Sequence, residues 1–263
     1  SNGLDQIAWE PLKGQIEADK MEGLDVVVHL AGENVGQAWN DEVKHRIKES
    51  RMKGTRLLSE TIATLKSPPK VFVCASAIGY YGVRGSEPLD ENSASGTGFL
   101  AEVCRQWESA TAPASASGIR TVNLRFGVVL SPHGGALKQM LPPFQMGAGG
   151  NLGDGQQYFS WVALTDAVSA IKFAIETPAL SGPVNVVAPN PVTNAQFTKA
   201  LGSVLGRPTF FPVPPMAARM IFGEMADEML LGGAKIVPKK LQESNFNFQF
   251  PQIEDALRHE LNR

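Results

Sequence analysis

The chain has 263 residues, 43% of them apolar and 19% charged, with a formal charge of −2. That balance describes a globular protein with room for one large domain, or a large domain and a small appendage, and it argues against disorder. It provides no basic field for nucleic acid, no apolar run near the roughly 20 residues that span a bilayer, and no N-terminal pattern of a signal peptide.

Apolar runs alternate with longer helical patterns, the signature of βα repeats around a parallel sheet. Asp25-Val-Val-Val-His-Leu-Ala31 is a β-branched run that ends in Gly32 and reads as a buried strand. Asn40 is placed to cap a helix running towards Leu65, with Ile47, Leu58, Ile62 and Leu65 on its apolar stripe. Pro68-Pro69 stop that helix, and Val71 to Ala75 form the next strand. A Gly/Ser/Asp-rich loop from Gly82 to Gly98 is too long for a simple connection and marks a functional segment. Phe99 to Ala112 reads as a helix stopped near Pro113, and Arg120 to Arg125 as a third strand. Beyond Gly127-Val-Val-Leu130 the chain turns glycine-rich, notably over 147–155. Asp166 to Glu176 reads as a helix and Pro183 to Val187 as a fourth strand. Thr193 and Gln196 fit a capping box opening a helix that reaches about Leu205. Prolines 212, 214 and 215 then precede a Met-rich stretch, Met216 to Leu231, read as a packed helix in preference to a partner-binding one. A short strand from Phe246 to Phe250 and a helix from Ile253 to Leu261 close the pattern.

The two cysteines, Cys74 and Cys104, sit in apolar stretches without CxxC spacing and read as buried reduced thiols of a reducing compartment. The four histidines are scattered, so no metal site is expected. A cytoplasmic location follows, with a plastid stroma as the alternative.

A family resemblance rests on motifs taken in order. These are His29-Leu-Ala-Gly-Glu-Asn34, Trp39-Asn40, Ser50-Arg51, Ala77-Ile-Gly-Tyr-Tyr-Gly82, Trp107-Glu108 and Arg125-Phe-Gly-Val-Val-Leu130. Gly134-Gly-Ala-Leu137, Phe159-Ser-Trp-Val162 with Asp166, and Ala188-Pro-Asn-Pro191 continue the series. Together they resemble an atypical branch of the extended short-chain dehydrogenases/reductases, the NAD(P)-dependent epimerase-like proteins sometimes labelled SulA-like or cell-division-inhibitor-like. The resemblance implies an α/β fold, a Rossmann-like doubly wound parallel sheet with a small C-terminal α/β lobe. It divides the chain into a Rossmann-like NAD(P)-binding domain over 1–207, with substrate-lobe insertions after 130, and a small domain over 208–263. It also places a Gly-rich strand–turn–helix and a second strand, roughly 40 residues, before Ser1, so that the chain starts near a third strand at Ile7-Ala-Trp9.

The resemblance implies NADP, with NAD as the alternative, and a small-molecule substrate whose identity stays open. No nucleic acid or membrane span is expected as a partner, and a homodimer is an open alternative. Leu30, Ala31 and Gly32 would run beside the adenosine and ribose; Arg46 and Arg51 would serve cofactor or substrate phosphate. Arg125 and Val129 would lie near the nicotinamide half. The other basic residues of the 40–65 helix read as a solvated face. Ser76 matches the serine that orients a carbonyl. The Tyr-x-x-x-Lys pair is absent, since its helix reads Phe99-Leu-Ala-Glu-Val103. Tyr80 or Tyr81 is then the source of a phenol, and Ser76 with Tyr81 form the catalytic candidates. Against these stands a core-packing role for one tyrosine. Two functions remain open: an oxidoreductase or nucleotide-sugar-type epimerase, and a non-catalytic cofactor-binding protein in cell or organelle division.

Overall fold

The parallel sheet forms where the β-branched runs placed it. The computed structural model describes residues 6–263. The chain passes through β1 (Val26–His29), α1 (Asp41–Thr64), β2 (Val71–Ala77), α2 (Phe99–Ser109), α3 (Ala112–Ala116), β3 (Arg120–Phe126) and β4 (Val128–Leu130). It continues through α4 (Gly135–Gln145), β5 (Trp161–Ala163), α5 (Leu164–Glu176), β6 (Gly182–Val186), α6 (Asn194–Leu205), α7 (Pro215–Phe222) and α8 (Ile253–Glu260). β6, β3, β2 and β1 pair in that order, all parallel. β4 and β5 form a second parallel pair that extends the wall beyond β3.

Alternation along the strands builds two cores. Val71, Val73, Val122, Leu124, Val184 and Val186 face α5, which answers with Ala167, Ala170 and Ala174. Phe72 and Cys74 face the other way, onto Leu58, Ile62, Trp107 and Ala114 from α1, α2 and α3. Helices therefore cover both faces, the doubly wound arrangement. α1 begins because the Asn40 side chain accepts the Val43 N–H at 2.8 Å, with Asp41 and Glu42 in the first turn favouring the helix dipole. Thr193 and Gln196 form the capping box of α6.

Four readings need correction, and one helix, α4, had no reading at all. The segment around Trp9 is not a strand of the main sheet: Trp9–Glu10 pairs antiparallel with Gln15–Ile16 in a two-residue ladder against α1. Pro113 opens α3 instead of ending a helix, since a proline in a first turn loses no helical bond. α4 carries no strong local signal because Pro142 and Pro143 fall inside it; it forms because Leu137, Leu141 and Phe144 reach the core on one face. The Met-rich stretch splits into α7 and a separate turn over Ala226–Leu230, and Met216 and Met220 point outward, 73% and 82% exposed. Phe246 to Phe250 is not a strand. Phe246 and Phe248 pack edge-to-face with ring centroids 4.8 Å apart, Phe246 within the core beneath α5. The Gln249 and Phe250 N–H groups donate to the two carboxylate oxygens of buried Asp166, at 2.8 and 3.0 Å, where a strand would need a neighbouring ladder.

Asp166 thus clamps the C-terminal segment onto α5. Asp166→Ala would leave two backbone donors without their charged acceptor and is expected to lower unfolding free energy by about 3 kcal/mol. Urea denaturation against the parent chain measures it, and Asp166→Asn should lose less.

Candidate functional site

At the C-terminal ends of β2 and β3 the sequence places opposite charges in the interior. Arg125, on β3, is 2% exposed, and Glu108 reaches it from α2. The guanidinium donates from Nε to Glu108 Oε1 at 2.7 Å and from Nη2 to Oε2 at 2.8 Å, a bidentate pair. Its Nη1 donates to the Tyr81 hydroxyl at 2.9 Å, and that hydroxyl donates to Asn185 Oδ1 at 2.7 Å. Ser76 Oγ donates to Glu108 Oε1 at 2.7 Å. The Tyr80 ring closes the assembly, its centroid 3.4 Å from the guanidinium carbon. Burial would pull Arg125 down, but the hydrogen bonds and charge of Glu108 overcome it and hold the guanidinium above its ordinary value. Burial pushes the Tyr81 phenol up to about 12, against the pull of Arg125.

A cavity of about 380 Å³ opens in front of this network. Its sheet side is formed by Ala77 at the end of β2, Ile78 and Gly79 beyond it, and Phe126 to Val129 across the junction of β3 and β4. Val103, Cys104 and Trp107 of α2 form a second wall, and residues 228–230 and 232–234 form the far side. Open α/β sheets bind ligands at these strand ends. Glu228 anchors the far side by accepting the N–H groups of Phe99 and Leu100, at 2.7 and 2.9 Å, on the first turn of α2. Burial raises the Cys104 thiol to about 12, so it stands on the wall as a neutral group.

The candidate residues separate into three sets. Arg51 and Val129 lie on the cavity wall. Arg51 donates to the Ile47 carbonyl, stacks 4.8 Å from the Trp107 ring centroid, and extends beneath Gly32. A β-carbon at Gly32 would stand 3.1 Å from the guanidinium carbon, so the missing side chain lets this charge reach the end of β1. Burial pulls Arg51 below its ordinary value, opposed by Cys104 and Glu33. Leu30, Ala31 and Gly32 follow β1 as an exposed platform, Leu30 at 53%. Arg46 is exposed beside them and pairs with Glu42 at 2.7 Å. Ser76, Tyr81 and Arg125 stand behind the wall instead of facing the cavity; Glu108 joins Ser76 to Arg125, and Arg125 in turn holds Tyr81. Phe99 packs edge-to-face on Trp39 at 5.1 Å, and Val103 is an apolar part of the wall.

Glu108, Asn185 and Glu228 were not among the candidates. Arg125 inside a buried strand demanded an acid, and Glu108 beside an apolar helical stripe was the available one. Glu228 lies about 130 residues from the N–H groups that donate to it, and no local pattern announces it. Among the described residues no cluster of metal ligands occurs, and no helix is long and apolar enough to cross a membrane.

Residues 15–187 match the NAD dependent epimerase/dehydratase family. The chain belongs to that family. Residues 213–260 match a domain of unknown function, DUF1731. The epimerase family protein Mb2239 of Mycobacterium bovis is 44% identical over 96% of this chain and 84% of its own length. The crystal structure of human epimerase family protein SDR39U1 (isoform2) with NADPH superposes with a TM-score of 0.88 at 32% identity, over 94% of this chain and 86% of that one. The nucleoside-diphosphate sugar epimerase of Corynebacterium glutamicum gives a TM-score of 0.78 at 40% identity, over 97% of this chain and 49% of that one. In this epimerase-family chain, then, the usual phenol and amine positions of α2 carry a stacked ring and a wall residue.

Two outcomes test this geometry. Glu108→Gln removes the counter-charge of a buried guanidinium and is expected to destabilise the fold by about 3–5 kcal/mol; adding Arg125→Met should recover part of that loss, read by thermal unfolding of both variants. His29, at the end of β1, is 4% exposed, and its Nε2 has no hydrogen-bond partner among the described residues. Burial lowers its pKa to about 4 from 6.5. The unfolded chain takes up this proton first as pH falls from 6.5 towards 4, so the histidine withdraws up to about 3 kcal/mol of stability across that window. Urea midpoints at pH 7, 5.5 and 4.5 should fall less steeply in His29→Leu than in the parent.

Proposed function

We propose that the chain is an NADP(H)-dependent oxidoreductase or epimerase of small molecules, from the atypical short-chain dehydrogenase/reductase branch. The observation that carries this is the continuous path from the exposed platform Leu30–Gly32, past Arg51, into the cavity at the ends of β2 and β3. A dinucleotide suits that path. The platform lacks a side chain where Arg51 approaches, that residue is the one cation among the described residues of the wall and lies between the two halves, and an apolar recess stands where a nicotinamide ring would lodge. When bound, the cofactor supplies hydride exchange at that ring.

The chain's own residues do the rest. Leu30, Ala31 and Gly32 border the adenosine and ribose, Arg51 and Arg46 meet phosphate, and Val129 borders the nicotinamide half. Arg125, with Glu108, fixes the wall behind it. NADP is favoured over NAD by the two arginines and by NADPH in the human SDR39U1 structure. Ser76 and Tyr81 hold the strand ends in register, and their hydroxyls reach the chemistry only through that positioning. Water is excluded by the 228–234 segment and by the apolar faces of α2 and β4.

A second reading, cofactor binding without turnover, draws on Phe99 and Val103, which can neither give a proton nor hold a charge. The resemblance's link to division has no residue on this wall to carry it, and the relatives named above are epimerases or epimerase family proteins.

NADPH fluorescence separates these readings. The chain is expected to bind NADPH, and Arg51→Ala to weaken that binding at least tenfold. Oxidation of bound NADPH by a carbonyl panel supports the enzyme; binding with no oxidation of any carbonyl supports the second reading. Absence of binding overturns both.

A further inference from the structure

The cavity's charge inventory is at odds with a nucleotide sugar. Among the described residues that line it, Arg51 is the only cation, with no lysine or histidine beside it. Arg51 faces the platform after β1 and stacks on Trp107, so it belongs to the cofactor half. Among the described residues the only acid on the wall is Glu228, which stands on the opposite, substrate half. The first turn of α2, where an anion would find two N–H donors, is already filled by that carboxylate.

Most of the neutral polar side chains there are committed to the protein; Tyr158 also lines the cavity, its ring 5.5 Å from the Lys235 ammonium. Ser160 Oγ donates to the Ala234 carbonyl at 2.8 Å and accepts the Ile236 N–H at 3.1 Å. Gln157 Nε2 donates to the Leu152 and Leu230 carbonyls, at 3.0 and 2.9 Å. Asn194 Oδ1 accepts the Leu152 N–H at 2.8 Å. Between them the wall is Leu100, Val103, Phe126, Val128, Met140 and Met229. A diphosphate placed here would be a buried anion without a counter-charge and next to a carboxylate, the least favourable occupant for such a space. A sugar's hydroxyls would lose water and find few free partners.

We infer that the substrate half of this cavity takes an uncharged, mainly apolar carbonyl compound or its alcohol, and excludes nucleoside diphosphate sugars. Reduction of such a compound moves a hydride from NADPH to the carbonyl carbon and a solvent-derived proton to its oxygen, giving an alcohol and NADP⁺. The inference rests on the cofactor reading above, because that reading assigns Arg51 to the dinucleotide.

Calorimetric titration of the full chain, with and without NADPH, tests it using 2-nonanone, acetophenone, UDP and UDP-glucose. The ketones are expected to bind at least tenfold more tightly than UDP or UDP-glucose. Met140→Trp, which fills the recess, should abolish ketone binding, and Met140→Leu should retain it. UDP-glucose binding as tight as the ketones overturns the inference, as does failure of both ketones to bind. Ketone affinity unchanged in Met140→Trp also overturns it, since the site would then lie elsewhere. The cofactor reading fails separately, if NADPH fluorescence shows no binding while the ketones titrate normally.

Discussion

The ion pair between Arg125 and Glu108 is the constraint on which the functional face depends. A guanidinium sealed inside a parallel sheet is tolerable only if its donors are met, and here a carboxylate and a phenol meet them while an aromatic ring covers its face. The partners come from three elements: Glu108 from α2, Tyr80 and Tyr81 from the turn after β2, and Asn185, through Tyr81, from β6. The pair therefore sets how α2 faces the sheet. With Glu108 turned to Arg125, Val103 and Trp107 present themselves to the cavity, and the depth of that cavity follows.

This arrangement gives Tyr81 and Ser76 an electrostatic task different from the one their place after β2 invites. Both hydroxyls complete the environment of a charge pair. A phenol held near 12 by burial keeps its proton across the physiological range, and its hydrogen bond to Asn185 ties β6 to the same centre.

The sheet was legible because its strands are continuous β-branched runs, Val26–His29 and Val71–Ala77 above all, and no competing pattern overlaps them. α1 was legible from Asn40 and α6 from Thr193 with Gln196, where caps have a local chemistry. α4 was hidden by Pro142 and Pro143, although Leu137, Leu141 and Phe144 carried its spacing. The 246–250 segment misled because alternating phenylalanines look like a strand, whereas its backbone donors are satisfied by Asp166, about 80 residues earlier. The cavity's sheet side lies where strand ends announce it, and Arg51 and Val129, named through the family resemblance, both line the cavity. Its far side is announced by no local pattern, because Glu228 meets α2 only after the chain has folded.

The far side also meets another part of the cavity lining backbone to backbone. At Gly233 an added β-carbon would stand 2.1 Å from the Tyr158 carbonyl oxygen, so two backbones meet there with no side chain between them. Contact of that kind fixes the path of the segment while leaving its neighbours free to vary. The residues proposed to face the cofactor come from the first 130 positions and the far wall from positions near 230. Drift in the second set can recast which molecule is admitted without disturbing the first, and a lineage built this way can keep its coenzyme while trading one chemistry for another.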